Sequence, residues 1–176
     1  MFHPKSPKSQ EVLDCLKDLK KEGTVAYENG MVICQLDNDW IFNSLAVLEP
    51  YGFIRPPFFV YPPRPIGAHI KIVTKAEAED YELCEKDVSH LIGKTVKFEV
   101  VRSYVSHPRK RSYGVEANYK IRIESPKLSQ IREELTGLSS GPNSGHFVIL
   151  VGLRNPALNV EMKVEVNEEE EKFRPV

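Results

Sequence analysis

Two histidines open short apolar runs in this chain: His69 begins HIKIV over 69–73, and His146 begins HFVILV over 146–151. Two imidazoles facing one phosphodiester can split it without a metal. A neutral ring takes a proton from the attacking water while an imidazolium gives one to the leaving oxygen. Side chains two apart on a strand share a face. His69, Lys71 and Val73 therefore point one way and Ile70 and Ile72 the other; His146, Val148 and Leu150 oppose Phe147, Ile149 and Val151. Packing the isoleucines on a helix turns His69 and Lys71 towards a cleft, where Lys71 could donate to the nonbridging oxygens. Each histidine follows a glycine-containing turn, Gly67-Ala68 or Ser144-Gly145, so each is expected where a sheet ends.

The elements that must carry these residues are read from periodicity and breakers. A first helix is predicted over 9–22, with Val12, Leu16 and Leu19 at helical spacing and Gly23 as its stop. A strand over 31–36 follows an Asn29-Gly30 turn. Six prolines between 50 and 65 point to an extended, irregular path through 40–65 rather than a long helix, and no element is assigned there. After the first histidine strand comes a helix over 75–91 that places Tyr81, Cys84, Val88 and Leu91 on one face. A strand over 95–101 turns Val96, Phe98 and Val100 inward, and a basic loop spans 106–111. Tyr113, Val115, Ala117, Tyr119, Ile121 and Ile123 alternate as a strand should. Ser125-Pro126 starts a second helix bearing Leu128, Ile131, Leu135 and Leu138. The second histidine strand follows a turn-rich stretch over 139–145, and Val160, Met162, Val164 and Val166 suggest a last strand.

With that order, the two histidine strands resemble the 2H phosphoesterase superfamily, whose hallmark is a pair of His-x-Thr/Ser motifs, each on a strand. The tetrapeptides that carry the likeness are 69–72 (HIKI) and 146–149 (HFVI), and the likeness spans residues 65–154. It implies an α+β, two-lobed fold: pseudo-symmetric antiparallel sheets, helices outside and a central groove. The implied parts are residues 1–66 as an N-terminal helix and strands completing the fold, 67–167 as the core, and 168–176 as an acidic tail. The implied activity is metal-independent hydrolysis of a 2′,3′-cyclic or related phosphodiester of a nucleotide or RNA end. His69 and His146 would be catalytic, in the RNA-repair-associated, 2′-5′ RNA ligase-like branch. The family's hydroxyl residue, two positions after the histidine, is replaced at both motifs, by Lys71 and by Val148. Lysine can hold phosphate and valine cannot, so Ser144 or Thr74 would have to help. An inactive or weak nucleotide- or RNA-end-binding module is the alternative. Tyr104 and Arg109, on either side of the basic loop's start, are further candidates for substrate contact, although a solvated hairpin tip and packing are the commoner roles for such residues.

The remaining features narrow the classes. The 176 residues suffice for one core, and 41% apolar against 28% charged is ordinary for a globular protein. A net charge of −1 argues against a long nucleic acid partner. Cys15, Cys34 and Cys84 make no C-x-x-C pair, so neither a disulfide framework nor a structural metal is expected. The cysteines read as core fillers, Cys84 included. Neither a glycine-rich phosphate loop nor an H-E-x-x-H motif is present. No cofactor, no membrane span, a cytoplasmic setting and a monomer are the expectations.

Overall fold

In a computed structural model, residues 7–59, 65–108 and 114–155 are described. The expected strand over 160–166, the acidic tail, Tyr113 and the candidate Arg109 lie outside the described residues. The chain is mixed α+β, with one seven-stranded antiparallel sheet in the order β4-β1-β2-β3-β7-β6-β5.

Helix α1 (Ser9–Leu16) ends earlier than its sequence pattern suggested, because residue 22 already belongs to a strand. That strand, β1 (Glu22–Glu28), had no prediction. Gly23 is not a helix stop: a Cβ there would collide with Cys34 Sγ, Gln35 O and Leu36 Cδ2, so its bare backbone lets β1 press onto its neighbour. β1 and β2 (Met31–Gln35) form a hairpin, and Asn29 (φ 52°) and Gly30 (φ 78°) supply the left-handed pair that a two-residue connection needs. Helix α2 (Asp39–Leu48) corrects the irregular path expected after residue 40. Trp40, Ile41, Ser44, Leu45 and Leu48 form its buried stripe, and the prolines start only at Pro50, beyond its end.

β3 (His69–Val73) runs beside β2, with Gln35 opposite His69. The single helix expected over 75–91 is two short ones, α3 (Lys75–Asp80) and α4 (Glu85–Val88). Glu82 at φ 53° breaks the turn between them; the Thr74 hydroxyl accepts from the Glu77 N–H, and Cys84, before α4, donates its N–H and its thiol to the Asp87 carboxylate. Cys84 is therefore an exposed capping residue rather than a core filler, whereas Cys34 is buried and its thiol is pushed up to about 12 by that burial. Val88 and Leu91 reach the core but Tyr81 does not.

The strand expected over 95–101 is also divided, into β4 (Thr95–Lys97) and β5 (Glu99–Ser106). These two lie at opposite edges of the sheet although Phe98 alone separates them. Consecutive Cα atoms are only about 3.8 Å apart, so the sheet must curl until its two edges meet at Phe98. Phe98 packs against Trp40 at that corner, with ring centroids 5.5 Å apart. β6 (Ala117–Glu124) alternates as expected, burying Ala117, Tyr119, Ile121 and Ile123. Helix α5 (Pro126–Thr136) starts at the Ser125 cap, whose hydroxyl accepts from Leu128 N–H at 3.3 Å. β7 (Phe147–Arg154) closes the sheet between β3 and β6.

One buried cation ties these parts together. Arg132 of α5 is 3% exposed. It donates to Ile72 O at 2.8 Å, to Ser140 O at 2.6 Å and bidentately to Glu77 at 2.9 and 2.6 Å. Glu77 also caps α3 through the Thr74 N–H, and the Arg132 hydrogen bond is the main reason its carboxyl sits below the usual range. Replacing Arg132 strands two carbonyls and a carboxylate at once. Arg132→Met is expected to cost about 3–5 kcal/mol of unfolding free energy, the usual penalty for breaking a buried pair. Urea unfolding of both proteins at pH 7 measures it. On acidification, Glu77's contribution in the wild type is lost as pH falls through its lowered folded-state pKa, so the gap between the two proteins narrows there.

Candidate functional site

The approach to His69 is held rigidly from below. Leu36 N–H donates to Ala68 O at 2.8 Å, and Ala68 N–H donates to Asn38 Oδ1 at 3.0 Å. Asn38 comes so close that a Cβ on Gly67 would collide with its side-chain oxygen, which is why glycine stands at 67. Gly67 O in turn accepts from His69 Nδ1 at 2.8 Å. A carbonyl only accepts, so Nδ1 carries the hydrogen and a neutral His69 has its lone pair on Nε2. Phe58 packs edge-on against the imidazole, with centroids 4.6 Å apart.

His69 is 4% exposed, and the surface it retains lies in a cavity of about 250 Å³. The cavity is lined by Phe58, His69, Lys71, Thr74, Asn118, Lys120, Pro142, Asn143, Val148 and Leu150. Strand register explains the company. Ile70 pairs with Ile149, so the alternate residues His69 and Lys71 of β3 share a face with Val148 and Leu150 of β7. On β6, Lys120 pairs with Leu150 and Arg122 with Val148, which brings Asn118 and Lys120 to the same face. The other face of these strands is the core, where Ile70, Ile121, Ile123 and Ile149 are buried.

Of the residues singled out from sequence, His69, Lys71 and Val148 line this cavity, with Thr74 beside them. His146, Ser144 and Tyr104 do not. His146 is half-buried immediately before β7 and closes a tight turn: it exchanges backbone hydrogen bonds with Asn143 at 2.9 and 3.1 Å. Ser144 (φ 51°) and Gly145 (φ 87°) are the exposed tip of that turn. Tyr104 is on β5, opposite Lys120.

Lys120, Asn118, Asn143 and Phe58 were missed. Asn118 and Lys120 carried a usable signal: both fall on the polar side of the strongest alternation in the sequence. That side was read as solvated, yet β7 and the 141–146 turn wall it in. Phe58 lies in a three-residue 3-10 turn and Asn143 in a tight hydrogen-bonded turn, both too short to show a period.

The electrostatics of the cavity are one-sided. Among the described residues, no Asp or Glu lines it. Lys120 Nζ donates to neutral oxygens among the described residues, Asn143 Oδ1 at 3.3 Å and Ser106 Oγ at 3.5 Å. Lys71 makes no hydrogen bond or ion pair among the described residues. Burial lowers the pKa of both lysines, and the charge on Lys71 lowers Lys120 further. Part of the Lys71 side chain is still exposed, at the mouth of the cavity. His69 is also held below the usual imidazole range: burial is the largest cause, the nearby Lys71 charge adds to it, and the Gly67 hydrogen bond opposes it.

Among the described residues, no group of three or more His, Cys, Asp or Glu side chains is placed to hold a metal. No helix among them is long and apolar enough to cross a membrane. Comparison with family models, curated proteins and solved structures finds no match to this chain.

The depressed His69 is directly measurable. Its ring is expected to titrate below the ordinary midpoint of 6.5 in heteronuclear NMR spectra. Lys71→Met removes a neighbouring positive charge and should move that midpoint upward. An unchanged midpoint in the variant would mean that the two groups do not sense each other. Because folding disfavours charged His69, its contribution to stability is present above the unfolded-state pKa and is lost as pH falls through the lowered folded-state value.

Proposed function

We propose that this chain binds the phosphate of a nucleotide or RNA end in the cavity between β3, β7 and β6, without two-histidine turnover. The observation that carries the proposal is the pair of ammonium groups, Lys71 and Lys120, in a cavity whose described lining offers them no carboxylate. Lys71 is exposed at the cavity mouth and Lys120 half-buried, so water screens them in part, but two neighbouring positive charges still favour an anionic guest. A phosphate monoester carries about −1.5 to −2 at neutral pH, which matches two ammonium groups better than the single charge of a diester does. Asn118 and Asn143 can donate amide N–H groups, and a protonated His69 would add one from Nε2. Phe58, Pro142, Val148 and Leu150 give the cavity apolar walls against which a sugar or base can rest.

The finer fold reading belongs with this proposal. Strands β4-β1-β2-β3 and β7-β6-β5 would be the two lobes of a 2H-like groove, with the Ile70–Ile149 pair near the local twofold axis. Such an axis carries His69 onto Val148 and Lys71 onto Leu150. The second lobe then offers the groove an apolar pair where the first offers a histidine and a lysine, and His146 stands two residues before Val148, just outside β7. A general acid and a general base must both come within hydrogen-bond reach of the reacting phosphate, and His69 alone of the two rings lines the cavity.

Hydrolysis of a cyclic phosphodiester is the second reading. It is favoured by the His69 tautomer, whose anchored Nδ1–H leaves Nε2 as a base. Calorimetric titration with 5′- and 3′-nucleoside monophosphates, alongside a turnover assay on 2′,3′-cyclic nucleotides in EDTA, separates the two. Binding without turnover is expected, and Lys71→Ala and Lys120→Ala should each weaken binding by about 10- to 100-fold, the worth of one hydrogen bond to a charged group. Turnover abolished by both His69→Ala and His146→Ala would replace the binding reading with the hydrolytic one.

A further inference from the structure

We infer that the face of β5 and β6 next to the cavity is a second subsite, one that holds the nucleotide adjoining the bound phosphate in a short single-stranded oligonucleotide. The inference rests on the phosphate-binding reading and adds the rest of the ligand to it.

Register places the components. In β5, Arg102 pairs with Arg122, Tyr104 with Lys120 and Ser106 with Asn118. Residues directly opposite in an antiparallel pair share a face, so Arg102, Tyr104 and Ser106 lie on the cavity face of the sheet with Arg122, Lys120 and Asn118. The hydrogen bond from Lys120 Nζ to Ser106 Oγ confirms that face, and on the opposite face Ser103 is hydrogen-bonded to the core residue Tyr119 at 2.9 Å. A chain leaving the phosphate at Lys120 thus meets Tyr104 one strand away, about 4.8 Å, and the two arginines about 7 Å further along.

The chemistry of these side chains suits a nucleotide. The Arg102 guanidinium lies over the Tyr104 ring, 4.8 Å from its centroid, making a flat cationic and aromatic surface on which a base can stack. Arg122 Nε is buried and has no hydrogen-bond partner among the described residues, so a ligand can reach only the terminal nitrogens. Its terminal nitrogen is 3.7 Å from the exposed Glu124 carboxylate, longer than a charge-assisted hydrogen bond. It therefore keeps donors for a second phosphate. Glu124 and its register partner Glu99 stand at the far end of this face and limit its length. The subsite fits one or two nucleotides, which is consistent with a chain whose net charge is −1.

The test compares adenosine 3′- and 5′-monophosphates with the matching terminally phosphorylated diadenylates, by calorimetry at one fixed salt concentration. One diadenylate polarity is expected to bind at least tenfold tighter than its mononucleotide. Arg102→Ala/Tyr104→Ala should abolish that gain while leaving mononucleotide affinity within twofold; Arg102→Ala alone should remove part of it. A diadenylate that binds no tighter than the mononucleotide overturns the second subsite and leaves the phosphate site standing. So does a double variant that weakens both ligands equally. If neither the mononucleotides nor the diadenylates bind, the phosphate-binding reading falls, and the second subsite with it.

Discussion

The antiparallel seam between β3 and β7 decides what this protein can do. One pairing, Ile70 with Ile149, sends two isoleucines into the core. The same pairing sends His69, Lys71, Val148 and Leu150 to the other side. A slip of one residue along β3 would exchange its faces, turning Lys71 into the core and Ile70 out of it. Hydrophobic burial in the core therefore sets the geometry of the polar face, and the site inherits the rigidity of the seam. Arg132 adds a second constraint by joining the backbone of β3 at Ile72 to the turn at Ser140.

The cavity built on that seam is a place of unbalanced charge. Two lysines and a histidine converge where the sheet's described neighbours supply amides and apolar walls but no carboxylate. Each group loses hydration there, and each responds by a lowered proton affinity. An anion reverses that response, because a negative guest favours the charged forms. Ligand binding and proton uptake are thus coupled in this site by the same burial that forms it.

Much of this was legible in the sequence where a single period ruled. The alternation over 117–124 gave β6 its correct faces, the Asn29-Gly30 pair marked the turn that precedes β2, and Ser125-Pro126 gave the start of α5. His69 and Lys71 were read onto the cavity side from strand alternation alone. Elsewhere the physics was not local. Gly23 looks like a helix stop in sequence, and only the proximity of β2 shows that it serves close strand packing. The stripe of α2 was hidden because the prolines that follow it were taken to govern the whole segment. Tyr81 and Cys84 fell at helical spacing by coincidence, across a left-handed residue at Glu82. The relation between His69 and the second histidine run depends on a pairing between strands nearly eighty residues apart. No pattern within either strand contains that register.

The account stands or falls on where a phosphate rests. A crystal structure of the chain with a bound nucleoside monophosphate tests this most directly. It should place the phosphorus on the cavity face of the sheet, with its oxygens within hydrogen-bond distance of both Lys71 Nζ and Lys120 Nζ. A phosphate held instead between the rings of His69 and His146, or found away from this cavity, would contradict it.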